Sequence, residues 1–288
     1  MVLSIHLVYM ALSGFAFASL DLIRKLLAGR IDALALVFYM SLGAVPFVAA
    51  LAAFQGIGTV SRGYVLPGLG ALALNLLGNL GFIHSVRLSP LSRTIPLLSL
   101  TPAFTAIMAI PTLGEVPSRA QTAGIVLVVA GALSLNSDGH VLRPFSGLFR
   151  EKGALLMVGV ALLWSLSGPL DKLALAHASV LFHAFVMTLG VAVGALVILW
   201  SQRRLAALSG ARGEAWLLAA SMLAVTVALV FQLLAIKGVF VSLVEAFKRS
   251  LGSVMAVVLG RAMFGEAVRP FQIAAVLVMV AGVVLILS

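Results

Sequence analysis

The chain has 288 residues, 62% of them hydrophobic and 10% charged, and a mean hydropathy of +1.19. A water-soluble domain carries about 25% charged residues, so there is too little polar surface here to coat a globule, and the solvent must be lipid. The absence of cysteine excludes disulfides, thiolate metal sites and cysteine nucleophiles, and the net charge of +10 sits mostly at the ends of apolar runs, where it faces headgroups rather than nucleic acid.

The first apolar run, 3–26, opens without a basic leader or a small-residue cleavage site and reads as a structural helix rather than a removable signal. Further runs follow at 33–54, 64–86, 91–112 and 119–136. After a polar stretch they resume at 153–175, 178–200, 214–236, 240–263 and 269–287. Each is close to the ~20 residues that cross a bilayer. Backbone groups in hydrocarbon must bond within their own segment, so each run reads as a helix. Punctuation agrees at Gly56-Ile57-Gly58, Arg87 to Pro90, Gly114 to Pro117, Ser209 to Gly213 and Gly265 to Pro270.

The two parts of the chain match. A shift of 151 places Gly114-Glu115 on Gly265-Glu266, Gln121 on Gln272, Val129-Ala130-Gly131 on Val280-Ala281-Gly282, and Ser99-Leu100 on Ser250-Leu251. A shift of 150 places Ala11-Leu12 on Ala161-Leu162 and Leu20-Asp21 on Leu170-Asp171. The expected organisation is a five-helix repeat over 1–136, a polar linker over 137–152 and a second repeat over 153–288. The fold class is therefore an all-α membrane protein of ten transmembrane helices in two inverted repeats. An odd number of spans per repeat turns the second copy upside down. Inverted repeats of this sort carry secondary transport, with the site near the midplane.

The run SPLSRTIPLLSLTPAFTAIMAIPTLGE, its counterpart EAFKRSLGSVMAVVLGRAMFGE and the segment ALLWSLSGPLDKLAL over 161–175 resemble the EamA-type drug/metabolite transporter superfamily. The resemblance covers nearly the whole chain. It implies a transporter, and it spans cargoes from amino acids to nucleotide sugars, so it selects no substrate.

Glu245, Lys248 and Arg249 are the most informative residues. Ionisable side chains inside a span cost roughly 2.5–3.5 kcal/mol on insertion scales and usually face a protein interior or a wet cavity. Spacings of three and four put all three on one helix face. Two readings stand: a cationic spot that holds an anionic group of the cargo, or Glu245 neutralising Arg249 one turn on while Lys248 snorkels to the interface. Asp21, Arg24 and Lys25 repeat the pattern at the end of the first span and read as interfacial anchors or gating groups, as do Asp171 and Lys172 in the sixth. Asn75 and Asn79, one turn apart in the third span, and Gln232 in the eighth either glue helices together or contact polar cargo. Trp164 and Ser165, with Ser167, and Tyr9, Ser13 and Phe17 line a cavity if their faces turn inward. Pro96 and Pro102 in the fourth span remove backbone donors, loosening that helix and freeing carbonyls. Glu115 and Glu266 stand just before helices, where a carboxylate suits the N-terminal dipole, and read as structural. Gly190 and Gly194 form a GxxxG motif expected to pack within one molecule.

The leading function is a secondary carrier, an exporter or exchanger, of a small polar or anionic metabolite by alternating access. The alternative is a flippase for a lipid-linked sugar or polyprenyl phosphate, using the same cations. An intramembrane enzyme needs paired acids, a metal cluster or a nucleophile beside a base, and the nine acidic residues are spread singly. The five histidines lack metal-ligand spacing, and there is no ATP-binding loop. No cofactor, metal or nucleic-acid partner is expected; the partners are the substrate and the bilayer, and a monomer is expected rather than a homodimer.

The expected location is a bacterial plasma (inner) membrane. Alternate connections carry thirteen basic residues (Arg24, Lys25, Arg30, Arg87, Arg93, Arg143, Arg150, Lys152, Arg203, Arg204, Arg212, Arg261, Arg269) against four (Arg62, Arg119, Lys172, Lys237). The positive-inside rule puts the richer set in the cytoplasm and both termini outside, opposite to the orientation the resemblance implies.

Overall fold

The computed structural model describes residues 2–27, 30–89, 95–135, 151–264 and 268–288. Among them the chain is helical and has no strand. In order come α1 (Val2–Leu27), α2 (Ala33–Gln55), α3 (Val65–Leu88), α4 (Thr101–Leu113), α5 (Arg119–Leu135), α6 (Lys152–Leu175), α7 (Val180–Ser201), α8 (Ala215–Gly238), α9 (Val241–Phe264) and α10 (Pro270–Leu287).

Seven of these helices, α1, α2, α3, α6, α7, α8 and α10, are long and apolar enough to cross a membrane; Leu97–Leu113 and Arg119–Leu135 are shorter apolar helices. The chain is thus a multi-pass membrane protein. The expected all-helical membrane class is met; three of the ten helices, α4, α5 and α9, fall short of that length and apolarity among the described residues. Four charged residues, Glu245, Lys248, Arg249 and Arg261, interrupt the hydropathy of α9. The fourth run is not one α-helix, because Ile95–Leu100 winds as a tighter 3₁₀ stretch before α4 begins at Thr101.

That start corrects the reading of Pro102. It does not loosen a helix interior; it stands in the first turn of α4, where the N–H that it lacks would have no helical partner. The carbonyl of Leu98, four residues before Pro102, accepts from Thr101 Oγ1 at 2.6 Å. The side chain of Pro96 and the side chain of Lys25 lie outside the described residues, as do Glu266 and most of the 137–152 linker.

Helix ends follow local chemistry. Asp32 accepts from the backbone of Leu34 (3.0 Å) and Ala35 (3.3 Å) to start α2, and Ser179 accepts from Phe182 N (3.1 Å) to start α7. Gly114 ends α4 at φ 68°, a left-handed conformation that a Cβ disfavours. Before α5, Ser118 and Gln121 cap each other: Gln121 N donates to Ser118 Oγ at 3.2 Å and Ser118 N donates to Gln121 Oε1 at 2.9 Å. Before α10, Arg269 N donates to Gln272 Oε1 at 2.8 Å. The repeat-matched glutamines therefore do the same job at corresponding helix starts.

The chain divides into two compact units, each drawing on both halves of the sequence: Met1–Leu76 with Leu170–Lys237, and Leu77–Pro169 with Gly238–Ser288. In the first, α2 packs along α7, and Leu20, Leu27, Ile31, Ala35, Leu36, Met40 and Leu218 form a core. Gly190 and Gly194 of α7 receive the side chains of Leu72 and Leu76 of α3, so both GxxxG glycines are occupied within the unit. At one end, Arg30 pairs with Glu214 at 2.7 Å and Arg204 with Asp32 at 2.5 Å, while Tyr39 Oη donates to Leu208 O at 2.6 Å. These contacts hold the α1–α2 and α7–α8 connections together. At the opposite end of α2, Ser179 Oγ donates to Ile57 O and Ser61 bonds His177 at 3.0 Å, joining the α2–α3 and α6–α7 connections.

In the second unit, α5 and α10 touch backbone to backbone. A Cβ on Gly131 would lie 2.9 Å from Ala275 O and 3.3 Å from Met279 N; one on Gly282 would lie 2.7 Å from Gly124 O and 3.0 Å from Val128 N. Adding 151 to 131, 124 and 128 gives 282, 275 and 279. The same contact is thus made twice, with the two copies exchanging roles. Lipid tails are as apolar as leucine, so such close approach, rather than exclusion of water, holds helices together in a bilayer.

Candidate functional site

The charged trio lies in the second unit, on a helix whose start is fixed from two sides. Beyond the turn at Gly114, Glu115 is 5% exposed, and its Oε2 accepts from Val241 N, the first residue of α9, at 2.8 Å. The carboxylate satisfies an orphan donor and opposes the positive end of the helix dipole. Glu115 is structural as expected, but the helix it caps is α9 rather than the next one in the chain. On the other side, Gly168 of α6 leaves room for Val241, whose Cγ1 would lie 2.8 Å from a Cβ there.

From that anchored start, Glu245 follows one turn on and Lys248 and Arg249 two turns on, about 12 Å along the axis for Arg249 at 1.5 Å per residue. Lys248 Nζ meets Glu245 Oε1 at 2.5 Å, with the two side chains only 16% and 10% exposed. The second of the two readings is not what is found: Glu245 does not neutralise Arg249, and Lys248 does not snorkel. The i+3 partner takes the acid, and Arg249 has no hydrogen bond or ion pair among the described residues. Its Nε is buried and unpartnered. Thr105 Oγ1 on α4 and Ser242 Oγ on α9 are also buried without a partner, and α9 packs against α4. Buried polar atoms are nearly always satisfied, so an orphaned group calls for a specific explanation.

The other candidates separate. Ser165 is fully buried, and its hydroxyl is engaged by Ala161 O (2.5 Å) and Thr101 O (3.1 Å), so it ties α6 to α4 rather than lining a cavity. Trp164 is half-buried, stacks on Phe82 with ring centres 6.0 Å apart and covers Gly78. Asn79, also in the second unit, is half-buried. In the first unit Asn75 and Gln232 are half-buried, and Ser13 is buried with its hydroxyl donating to Ala228 O at 3.0 Å. Tyr9 packs on Phe231, ring centres 5.7 Å apart. Asp21 and Arg24 approach at 3.4 Å on an exposed face, the geometry of an anchor.

Asp171 is placed differently from its expected position near water. It is 4% exposed, and its Oδ1 meets His183 Nε2 at 3.0 Å, while Lys172 is half-buried. His183 in turn bonds Tyr64 Oη through Nδ1 at 2.9 Å. His183 lacks metal-ligand spacing to the other histidines and is not among the residues expected from the sequence. The usable signal was an ionisable residue at the sixth position of the apolar run 178–200.

A model of the EamA-like transporter family matches the sequence twice, over residues 4–137 and 151–288. No curated protein matches. A solved crystal structure, described only as that of a protein, superposes with a TM-score of 0.81 at 16% identity, covering 98% of this chain and 97% of the other. At that identity the likeness speaks for the fold alone.

Proposed function

The chain belongs to the EamA-like transporter family, and from that premise we propose that it is a secondary carrier of a small polar or anionic metabolite, with Arg249 as the group that holds the cargo's anion. The observation that carries this reading is the charge left over on α9. One acid is committed to one lysine, and a guanidinium with a buried, unpartnered Nε remains. A guanidinium presents a rigid fork of donors that matches a carboxylate or phosphate. Coulomb attraction in a poorly screened interior strengthens the pairing. The orphaned hydroxyls of Thr105 and Ser242 supply neutral donors of the kind that orient a polar cargo.

The remaining parts of the proposal are a chain of ten spans in two inverted five-helix repeats, alternating access, export or exchange across a bacterial plasma membrane, and a monomeric working unit. The doubled contact of α5 with α10 and the paired roles of Gln121 and Gln272 support the repeat. A thermal-shift screen of purified protein tests the cargo. Carboxylated metabolites, sugar phosphates and polyprenyl phosphates form one set, and cationic and neutral amines the other. Stabilisation by anions in wild type, lost in Arg249→Ala, is the expected result. Stabilisation confined to polyprenyl phosphates would make the protein a flippase, and stabilisation by amines alone would remove the anion site.

A further inference from the structure

The buried chain of Tyr64, His183 and Asp171 in the first unit is used by nothing described above. Tyr64 closes the short 3₁₀ turn just before α3, His183 stands in the first turn of α7 and Asp171 near the end of α6, and they are 5%, 0% and 4% exposed. Tyr64 also packs edge-on against Phe182, ring centres 5.1 Å apart, with Ala174 and Ala178 closing the cluster.

We propose that Tyr64, His183 and Asp171 form a single binding site for one proton, taken up and released as a unit. An ionised carboxylate only accepts, so His183 Nε2 must carry the hydrogen directed at Asp171 Oδ1. That leaves Nδ1 as an acceptor, and the Tyr64 hydroxyl donates to it. The set then has one net negative charge. A proton arriving from water bonds to Nδ1; Nδ1–H now donates, and the phenol turns from donor to acceptor. Both ring nitrogens stay hydrogen-bonded in either state, and the net charge changes from minus one to zero. A chain whose two ring-nitrogen bonds persist with and without the proton is suited to exchanging it, the phenol hydrogen turning out of the chain when Nδ1 carries the proton.

A pocket lies within one helical turn of this chain. It is open, about 430 Å³ in volume, and lined by residues 58–61 and 176–179. Its wall is bonded directly to both ring-bearing segments, with Tyr64 N donating to Ser61 O at 3.0 Å and His183 N to Ser179 O at 3.1 Å. Among the described residues, the other titratable groups on the segments that carry the cluster are exposed Arg62 and His177 and half-buried Lys172; α2, packed along α7, has none at this end. A proton site of this kind is where a proton gradient enters a carrier's cycle. That use rests on the carrier reading, whereas the site itself does not.

The test counts protons without any cargo. Detergent-purified wild type, Asp171→Asn, His183→Gln and the double variant are titrated from about pH 9 to about pH 5, with size-exclusion profiles to verify folding. Each single variant should take up about one proton per chain less than wild type, and the double variant no less than either single one, because the proton is shared. Variant curves that coincide with wild type would make the cluster a fixed structural bond network, and a double variant that loses two would make the groups independent. Tyr64→Phe removes one oxygen and covers the case where the charge variants fail to fold. It should keep the proton and move the midpoint of its uptake, and an unmoved curve would overturn the proposal.

Discussion

Replacing Arg249 with methionine removes a guanidinium while keeping an unbranched chain of similar length on α9. In the protein without cargo, the buried Nε has no partner. A buried polar group left unsatisfied costs about 1–3 kcal/mol, and more when it is charged. The substitution should therefore stabilise the protein by about 1–3 kcal/mol. At about 2–4 °C per kcal/mol for large domains, the melting temperature should rise by several degrees. Glu245→Gln makes the opposite perturbation, because it takes the counter-charge from Lys248 in a pair whose side chains are 16% and 10% exposed. Breaking a buried pair costs about 3–5 kcal/mol, and the residual exposure puts this one at the lower end. Intrinsic fluorescence of the three tryptophans during heating follows both changes. An Arg249→Met protein that melts several degrees below wild type would refute the reasoning, because it would show that the guanidinium holds the fold together.

Gly282→Leu, and Gly124→Leu with it, should destabilise the second unit by at least the ~1–3 kcal/mol typical of overpacking, because a Cβ at either position meets backbone 2.6–2.7 Å away; thermal melting in detergent reads the loss. Glu115→Ala should cost about 1–3 kcal/mol by orphaning the Val241 N–H, whereas Glu115→Gln, which keeps an acceptor, should recover most of it in the same melt. For orientation, alkaline phosphatase fused to the C-terminus should be active and green fluorescent protein dark; bright fluorescence would place the basic connections outside. In the first unit, the pairing of the α1–α2 with the α7–α8 connection, and of α2–α3 with α6–α7, matches the alternation on which that assignment depends.

The repeat was legible because its matched residues do work that few side chains can do. Gln121 and Gln272 cap helices, and Gly131 and Gly282 admit a neighbouring backbone. The helical class followed from hydropathy alone. Partner choice on α9 was not legible, because Lys248 at i+3 and Arg249 at i+4 lie equally within reach of Glu245, and only packing decides between them. The Asp171–His183–Tyr64 chain was hidden for a related reason. Helical spacing exposes neighbours three and four apart, while this chain joins residues 12 and 119 apart across a turn and a separate helix. Pro102 was misplaced because sequence hydropathy runs smoothly from 91 to 112, and nothing in it separates a 3₁₀ stretch from the helix that follows. The two compact units, each mixing both halves, arise from tertiary contacts that an internal repeat does not specify.

The central claim is movement of an anion that depends on Arg249, and counterflow tests it most directly. Proteoliposomes loaded with the anion that stabilises the purified protein best are diluted into a trace of the same anion in labelled form. Wild type should accumulate label in a transient overshoot, and Arg249→Ala, although folded, should show none. An anion that binds without overshoot, or an Arg249→Ala protein that transports as wild type does, would contradict the account.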